Sequence, residues 1–407
     1  MSPTAARLAT RTVEVDDPGD LLARIPDPGG MAWVRRGEGM VGWGRARLVR
    51  LGTGPERFAR AAEALAAQPA EVDDEVGVPG TGLIGFLSAT FDPDEDGSLL
   101  VIPEMVLGRR GGRAWLTVNG DGPVPQVAAV QALATGARIR YAGTSMPELA
   151  WLEAVADAVR AIRGGGLTKV VLARDLAVWS TATFDARLLA RRLAERFADC
   201  WTFAVNGLVG ATPELLLRRR GDEVTSLVLA GSAGRDADSG RDAALGAALL
   251  DSAKDRDEHA QSVASVVDVL APRTHDLRVD AQPWLLRLAN IQHLATAVHG
   301  RLRSPAGVLD LVGALHPTAA VCGTPRGEAL ARIRALERFS RGRYGGPVGW
   351  VDAGGDGELG IALRCAELDG TRARLFAGAG IVAESLPEAE LEETRIKFRA
   401  MQSAFGG

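Results

Sequence analysis

The sequence has few cysteines, no long apolar run and little net charge, and each of these shortages excludes a class of protein. Its three cysteines, Cys200, Cys322 and Cys365, lie far apart and form no CxxC or Cys/His pattern, which suits a reducing compartment and argues against a transition-metal site. No apolar run approaches about 18 residues and no N-terminal hydrophobic signal is present, so we expect neither a membrane partner nor export. The net charge of -4 argues against a nucleic-acid partner. These features predict a cytoplasmic location.

The chain does contain enough apolar sequence for a large buried core. Of its 407 residues, 46% are apolar and 24% are charged, as in ordinary globular proteins. Strand-like runs separated by turn residues, with helical patterns between them, predict an α+β fold with a large, mostly antiparallel β-sheet core flanked by helices. We divide the chain into a variable N-terminal part, residues 1–145, and a region that carries the chemistry, residues 146–407, within one α+β unit. A connector is predicted over residues 121–142.

Local patterns also predict where several elements begin and end. Ser145 and Glu148 have the spacing of a capping box before a helix that stops at Gly164. Residues 202–209 predict one strand. The segment after Arg341 predicts a β-meander whose strands cover residues 348–351, 359–365 and 373–377.

Two acidic stretches share one layout. In each, a candidate N-cap serine precedes two carboxylates one helical turn apart: Ser252 with Asp255 and Glu258, and Ser385 with Glu390 and Glu393. If the two helices face each other, the carboxylates form a cage for a hard cation; otherwise each pair is a solvated helix face.

Two further residues have the type and setting of an acid and a base. Lys169 lies in an apolar strand pattern, where it is either buried or extends its ammonium to water at the strand entry. A buried lysine has a lowered pKa and serves as a base. Glu214 follows a proline and precedes three leucines; held near the core it would act as a general acid, and the alternative is an exposed strand start.

An anion site is predicted near the C-terminus. Residues 378–381, Gly-Ala-Gly-Ile, predict a turn after a strand, in which backbone N–H groups are free to bind a carboxylate. Arg364 is a charge within an apolar strand pattern, which is best explained by a carboxylate partner. The glycines before Lys169 fail the spacing of a phosphate loop, so no nucleotide cofactor is expected.

Eight short motifs occur in a fixed order along residues 146–404. They are Lys169-Val-Val-Leu-Ala-Arg174, Thr212-Pro-Glu-Leu215, Leu229-Ala-Gly-Ser232, Lys254-Asp-Arg-Asp-Glu-His259, His316-Pro-Thr318, Arg364-Cys-Ala366, Phe376-Ala-Gly-Ala-Gly-Ile-Val382 and Glu390-Leu-Glu-Glu-Thr394. In this order they resemble the chorismate-utilising enzymes. That family contains isochorismate synthases, salicylate synthases and the large chains of anthranilate and aminodeoxychorismate synthases, and it varies most in its N-terminal part.

The resemblance implies roles for individual residues. Lys169 matches the general base that activates water, and Glu214 matches the general acid that protonates the departing 4-hydroxyl. Glu258 and Glu393 match direct Mg²⁺ ligands, whereas Asp255 and Glu390 match carboxylates that reach the metal through water. The substrate-binding positions it implies are Gly231, Ser232, His293, Ala320, Tyr344, Arg364, Gly378, Ala379, Gly380 and Lys397.

One sequence position distinguishes between the branches of the family. Relatives that add ammonia or make salicylate typically have threonine where this chain has Ala320. The resemblance therefore implies a monomeric, Mg²⁺-dependent isochorismate synthase acting on chorismate, for menaquinone or siderophore biosynthesis. The alternatives are a salicylate synthase, which goes on to eliminate pyruvate, an aminating enzyme, and a non-catalytic chorismate sensor, against which the Lys169 and Glu214 pair argues.

Overall fold

The computed structural model describes residues 8–406, apart from residues 128–129, 131–132 and 134–135. Within this range the chain forms 23 strands and eight α-helices, together with 3-10 turns over Leu21–Arg24 and Ala271–Arg273. The predicted α+β fold of antiparallel sheets flanked by helices is confirmed. The predicted connector lies partly outside the described residues, and its end forms a strand. In the described part of the chain no helix combines the length and apolar character that crossing a bilayer requires.

The elements follow one another along the chain. The first ten strands are β1 (Leu8–Val15), β2 (Met31–Arg35), β3 (Glu38–Trp43), β4 (Arg47–Arg50), β5 (Pro69–Asp74), β6 (Ile84–Ser88), β7 (Leu99–Ile102), β8 (Met105–Arg110), β9 (Arg113–Asn119) and β10 (Ile139–Gly143). The others are β11 (Lys169–Ser180), β12 (Trp201–Val205), β13 (Leu208–Thr212), β14 (Leu215–Arg220), β15 (Glu223–Gly234), β16 (Thr274–Val279), β17 (Trp284–Arg287), β18 (Ile291–Leu302), β19 (Gly323–Thr324), β20 (Pro347–Asp352), β21 (Gly357–Ile361), β22 (Cys365–Asp369) and β23 (Arg372–Ile381). The helices are α1 (Arg57–Ala66), α2 (Glu148–Arg163), α3 (Ala186–Arg196), α4 (Ser239–Asp251), α5 (Ala253–Leu270), α6 (Val308–Leu315), α7 (Arg326–Leu336) and α8 (Pro387–Phe405).

The strands form two sheets rather than one. The first has the order β10-β11-β23-β22-β13-β12-β2-β3-β8-β9-β1-β5, with β19 beside β11. The second has the order β16-β18-β15-β14-β21-β20-β6-β7-β4, with β17 beside β18. Each sheet contains strands from both sides of the predicted boundary at residue 145, and that boundary itself stays a prediction.

The two sheets pack against each other around a buried aromatic cluster. Trp33 and Phe203 of the first sheet belong to this cluster together with Phe86 and Trp350 of the second. The residue after Phe203, Ala204, packs on the opposite face of the first sheet, among residues of α3 and α8, as the alternation of strand side chains requires. Helices α1, α5 and α6 pack on the second sheet in a third cluster, which continues to β11 and β23 of the first sheet and to α2 and α7.

The chain crosses between the sheets at two neighbouring places, and both places carry a predicted site residue. Glu214 lies between β13 of the first sheet and β14 of the second; Arg364 lies between β21 of the second and β22 of the first. The crossings are hydrogen-bonded to each other: the Ala211 N–H donates to the Arg364 carbonyl at 3.2 Å, and the Ile361 N–H to the Glu214 carbonyl at 3.3 Å. Glu214 and Arg364 are therefore held together at the junction of the sheets.

Two strand predictions were wrong. Residues 359–365 are not one strand of a meander, because the chain leaves the second sheet after Ile361 and turns at Arg364, whose φ is 49°. Residues 202–209 form a hairpin, not a strand, since Asn206 and Gly207 have φ of 46° and 83° and make the tight turn that such a pair favours.

Two helix starts also differ from the prediction. The capping box at Ser145 is wrong: Pro147 precedes α2, and the Ser145 N–H donates to Asp175 at 2.8 Å. At α8 the N-cap is Leu386, without a side-chain cap, and the Ser385 hydroxyl accepts from the Val382 N–H. Ser252 is the N-cap of α5, as predicted.

Candidate active site

A cleft with an empty volume of about 620 Å³ opens beside the two crossings. This volume lies in the range of small-molecule sites. Twelve of the predicted site residues line it: Glu214, Gly231, Ser232, Glu258, His293, Ala320, Tyr344, Arg364, Gly378, Gly380, Glu393 and Lys397. The fold therefore brings residues that span more than 180 positions of sequence to one place.

Lys169 is fully buried at the start of β11, with an exposed fraction of 0%. Its Nζ donates to Ser262 Oγ at 2.9 Å and lies 3.0 Å from Glu258 Oε1. Both partners are on α5, one turn apart, so the helix holds the ammonium from a single face. The alternative of an ammonium that reaches water at the strand entry is excluded by this burial.

Glu214 is a buried acid whose charge is disfavoured. Burial raises the pKa of its carboxyl to about 8, although Lys169, Arg364 and Lys397 act in the opposite direction. Near neutral pH the side chain is therefore predominantly protonated and carries a proton that it can donate. Its place between two sheets supplies the low-dielectric surroundings that cause this shift.

The glutamates of the two acidic stretches are each paired with a lysine. Glu258 pairs with Lys169 at 3.0 Å, Glu390 with Lys254 at 2.6 Å, and Glu393 with Lys397 at 2.5 Å. These are the only three lysines of the chain, among 47 basic residues. The Lys254–Glu390 pair connects α5 with α8, and because all three glutamates are paired, the interpretation of these carboxylates as solvated helix faces is wrong.

The carboxylates of α5 and α8 also affect one another electrostatically. Burial, with repulsion from Glu258 and Glu393, raises the pKa of Asp255. Burial and repulsion from Glu393 raise the pKa of Glu390, against the effect of Lys254. Burial opposes ionisation of Glu393 too, but Lys397 and the Ser232 hydroxyl lower its pKa. The four carboxylates outnumber the three lysines paired with them, and a bound cation would relieve their mutual repulsion.

Two glycines allow the carboxylates to approach the strands. A Cβ at Gly380 would lie 2.1 Å from Glu258 Oε1 and 3.2 Å from the Lys169 Cε. Gly231 sits at a bulge in β15 with φ of 72°, and a Cβ there would lie 3.1 Å from that of Asp255. Any larger residue at Gly380 would displace the Glu258 carboxylate from β23.

Arg364 presents a positive charge to the cleft. No carboxylate of the described residues lies within 4.0 Å of its guanidinium, and its NH2 donates to His293 Nε2 at 3.0 Å. The His293 Nδ1–H donates to the Gly231 carbonyl at 3.3 Å. Burial and the charge of Arg364 hold the pKa of His293 well below its usual value. The neutral imidazole therefore orients Arg364 and leaves its charge available for an anion.

Gly378 and Gly380 belong to β23 and do not form the predicted turn. They are paired with Ala173 and Val171 of β11. The Ala173 and Val171 N–H groups point away from β23, to Glu337 Oε1 at 2.7 Å and the Cys322 carbonyl at 2.8 Å. In such antiparallel pairs the partner's N–H also points outward, so the N–H groups of both glycines point away from β11. They are candidate donors from a strand rather than from the predicted turn.

The acidic cluster fits Mg²⁺ through two carboxylates rather than as a closed cage. Among the residues that the structure describes, no three His, Cys, Asp or Glu side chains converge closely enough to hold a metal ion. Glu258 and Glu393 nevertheless line one cleft, and their neighbours have raised pKa values. Mg²⁺ is commonly held by one or two carboxylates, with waters and an anionic substrate completing six oxygens.

Comparison with known proteins identifies the family. A family model described as "Chorismate binding enzyme" matches residues 31–406. The chain belongs to the chorismate-binding enzyme family.

Individual relatives agree with this membership. The chain is 40% identical over 343 residues to MenF of Mycobacterium tuberculosis, an alignment that covers 80% of this chain and 87% of the relative. It is 42% identical over 257 residues to the isochorismate synthase DhbC of Bacillus subtilis, covering 60% of this chain and 65%, just under two thirds, of that relative. The crystal structure of DhbC from Bacillus anthracis superimposes with a TM-score of 0.80 at 33% identity, covering 95% of this chain and 98% of the other.

Four of the predicted site residues of this chorismate-binding enzyme do not line the cleft. Lys169 is adjacent to Gly380, and Asp255 is adjacent to Gly231. Glu390 is 1% exposed and pairs with Lys254. Ala379 packs in the core on the other face of β23. Lys169, Asp255 and Glu390 are therefore neighbours of residues that line the cleft, and Ala379 contributes no side chain to it.

Sequence reasoning missed three residues that shape the site. Ser262, which binds Lys169, lies four residues after Glu258, so helical spacing could have indicated it. Lys254, which pairs with Glu390, is one of only three lysines, and that scarcity was the available signal. Arg341 lines the cleft, pairs with Glu337 and donates to the Val171 carbonyl at 2.7 Å; no local pattern distinguishes it from the other arginines.

Proposed function

We propose that this protein is a Mg²⁺-dependent isochorismate synthase, which converts chorismate to isochorismate. The observation that carries the proposal is the buried acid Glu214, with its raised pKa, in one site with the buried base candidate Lys169. The similarity to the isochorismate synthase DhbC of Bacillus subtilis supports the same conclusion. A non-catalytic sensor would not need a buried acid in a cleft with a buried amine beside it.

The cleft offers complementary groups for a substrate with two carboxylates, as chorismate has. Arg364 supplies an unpaired guanidinium, and the N–H groups of Gly378 and Gly380 supply donors on the adjacent strand. Glu258 and Glu393 would hold Mg²⁺, which when bound supplies positive charge for a substrate carboxylate beside this acidic cluster.

The reaction requires one proton to be removed and one to be supplied. Lys169, in the role of general base, takes a proton from the water whose oxygen forms a bond to C2. The ring double bonds shift, and the bond between C4 and its hydroxyl breaks. Glu214 gives its proton to that hydroxyl, which leaves as water. One water enters and one leaves, so the reaction is an isomerisation and needs no redox cofactor.

The setting of the enzyme follows from the same proposal. We propose a monomer in the cytoplasm whose product enters menaquinone or siderophore biosynthesis. Residues 146–407 would form the chorismate-binding catalytic region, and residues 1–145 the variable part that completes both sheets. The roles of acid, base, metal ligand and substrate-binding residue are part of this proposal.

Product analysis tests the proposed function directly. Purified protein is incubated with chorismate and Mg²⁺, and the products are separated by chromatography. We expect isochorismate as the main product and a nearly complete loss of turnover in Lys169→Ala and Glu214→Ala, with ligand binding still measurable. Salicylate as the dominant product would contradict the proposal, and so would an aminated product formed with ammonium. Near-normal rates in both variants would refute the assigned acid and base.

A further inference from the structure

A second cavity, of about 820 Å³, lies between the two sheets and shares no lining residue with the active-site cleft. We call it the arginine cavity. Its walls are formed by β2, β3, β8 and β12 of the first sheet and by β14 and β21 of the second. It is defined by Trp33, Arg35, Arg36, Glu38, Gly39, Arg110, Trp201, Arg218, Arg220 and Glu358.

Positive charge exceeds negative charge in this cavity, since five arginines face two glutamates. The buried carboxylate of Glu358 already has three donors. Trp33 Nε1 and Trp201 Nε1 donate to its Oε1 at 2.6 and 2.8 Å, and Arg218 lies 3.5 Å from its Oε2. Glu358 therefore does not account for the remaining arginines.

Three of these arginines have no acidic partner. Among the described residues no carboxylate lies within 4.0 Å of Arg35, Arg110 or Arg220, and the Arg110 Nε is buried without a hydrogen-bond acceptor. Burial lowers the pKa of both Arg110 and Arg220. Arg35 and Arg110 are half-buried, and Arg220 is exposed. A partly desolvated cation without a counterion is disfavoured, and an anion that binds beside it removes that cost.

The cavity also has aromatic walls. The Trp33 and Trp201 rings are stacked with centroids 6.2 Å apart, and the Arg35 guanidinium lies 4.0 Å from the Trp201 ring centroid. Trp33 and Trp201 are themselves almost fully buried, so they hold the Arg35 guanidinium flat, and such a guanidinium favours a planar ligand on its other face. Unpaired guanidinium groups at Arg110 and Arg220 favour a ligand with more than one acid group, because each can bind a carboxylate with two hydrogen bonds.

We propose that the arginine cavity is a second ligand site, which binds a small aromatic acid carrying two negative charges. The probe is benzene-1,3-dicarboxylate, titrated at constant ionic strength and followed by tryptophan fluorescence and calorimetry. Trp33 and Trp201 line the arginine cavity, whereas no tryptophan lines the active-site cleft, so a fluorescence change reports the second site. We expect saturable binding that is weakened at least tenfold by Arg110→Gln with Arg220→Gln.

Two control variants separate this site from the active site and from general charge effects. Arg364→Gln, which removes the anion partner in the active-site cleft, should leave the fluorescence titration unchanged whether or not the proposed activity is correct. Arg50→Gln, on the exposed face of β4, is a matched loss of arginine and should also leave it unchanged.

Three results would overturn the proposal. They are no saturable binding to the unaltered protein, equal binding of the uncharged benzene-1,3-dicarboxamide, and unchanged binding in the Arg110→Gln/Arg220→Gln variant. Thermal unfolding distinguishes a ligand site from a structural role for these arginines. If Arg110 and Arg220 have no counterion until a ligand binds, the Tm of the double variant should be unchanged or higher. A lowered Tm would show that the two arginines stabilise Glu358 instead.

Discussion

Lys169 Nζ lies 3.0 Å from Glu258 Oε1, so the proposed base and a proposed metal ligand form one buried ion pair. Glu258 and the Ser262 hydroxyl hold the Lys169 Nζ together from one face of α5. A cation that binds Glu258 would compete with this ion pair. Acid–base chemistry and the acidic cluster are thereby coupled through a single contact.

Replacing Glu214 by glutamine should lower kcat without preventing ligand binding. The amide has nearly the same shape but cannot protonate the departing hydroxyl, and loss of a general acid typically costs about 10²–10⁴-fold in rate. Steady-state kinetics and calorimetry with chorismate measure the two effects. Glu223→Gln, an exposed change on β15, serves as the control. A rate within threefold of the unaltered enzyme would show that another group supplies the proton.

The activity should fall as pH rises through about 8, because Glu214 must be protonated to act. Its pKa is raised on folding, so between about 4.5 and 8 the folded state retains a proton that the unfolded state has lost. The contribution of this proton to the free energy of unfolding is fully present below about pH 4.5. It decreases between about pH 4.5 and 8, by at most about 1.4 kcal/mol per pH unit. Urea unfolding at several pH values should show a steeper slope in the unaltered protein than in Glu214→Gln, since Asp255 and Glu390, whose pKa values are also raised, remain in both. Identical slopes in the two proteins would contradict the assigned pKa.

Mg²⁺ binding should depend on one carboxylate from each acidic stretch. We expect Glu258→Gln and Glu393→Gln each to weaken Mg²⁺ binding at least tenfold in calorimetry, since each removes a charged oxygen donor. Glu392→Gln, exposed on the same helix as Glu393, is the matched control. A chelator should abolish activity and added Mg²⁺ should restore it. Undiminished Mg²⁺ affinity in both cleft variants would place the metal elsewhere.

Removing Arg341 should destabilise the fold. The side chains of Arg341 and Glu337 are 3% and 2% exposed, and Arg341 also donates to the Val171 and Val321 carbonyls. Arg341→Leu leaves the Glu337 carboxylate buried without its partner, a change that costs about 3–5 kcal/mol. Chemical denaturation measures the loss, and the double variant Arg341→Leu/Glu337→Leu should recover part of it. If Arg341→Leu were as stable as the unaltered protein, Glu337 would be neutralised by protonation instead.

Local features of the fold were predictable because they depend on residues a few positions apart. The N-cap Ser252 and the helical spacing of Asp255 and Glu258 are of this kind, and so is the apolar strand that begins at Lys169. The fold class and the residue types of the site followed from such patterns and from the order of the motifs. The crossings at Glu214 and Arg364 could not be predicted from such patterns. A bend between sheets is stabilised by hydrogen bonds to distant strands rather than by the bend's own residues.

The sequence by itself determined which residues carry charge into apolar surroundings: Lys169, Glu214, Arg364 and the two acidic pairs. Only the tertiary structure decided their partners, since the glutamate that meets each lysine depends on how α5, α8 and β11 pack. It also decided that Gly378 and Gly380 offer their N–H groups from a strand edge, because β22 stops pairing with β23 at Leu375. Ion pairing and desolvation depend on distances of a few ångströms between elements far apart in sequence, and packing alone sets those distances.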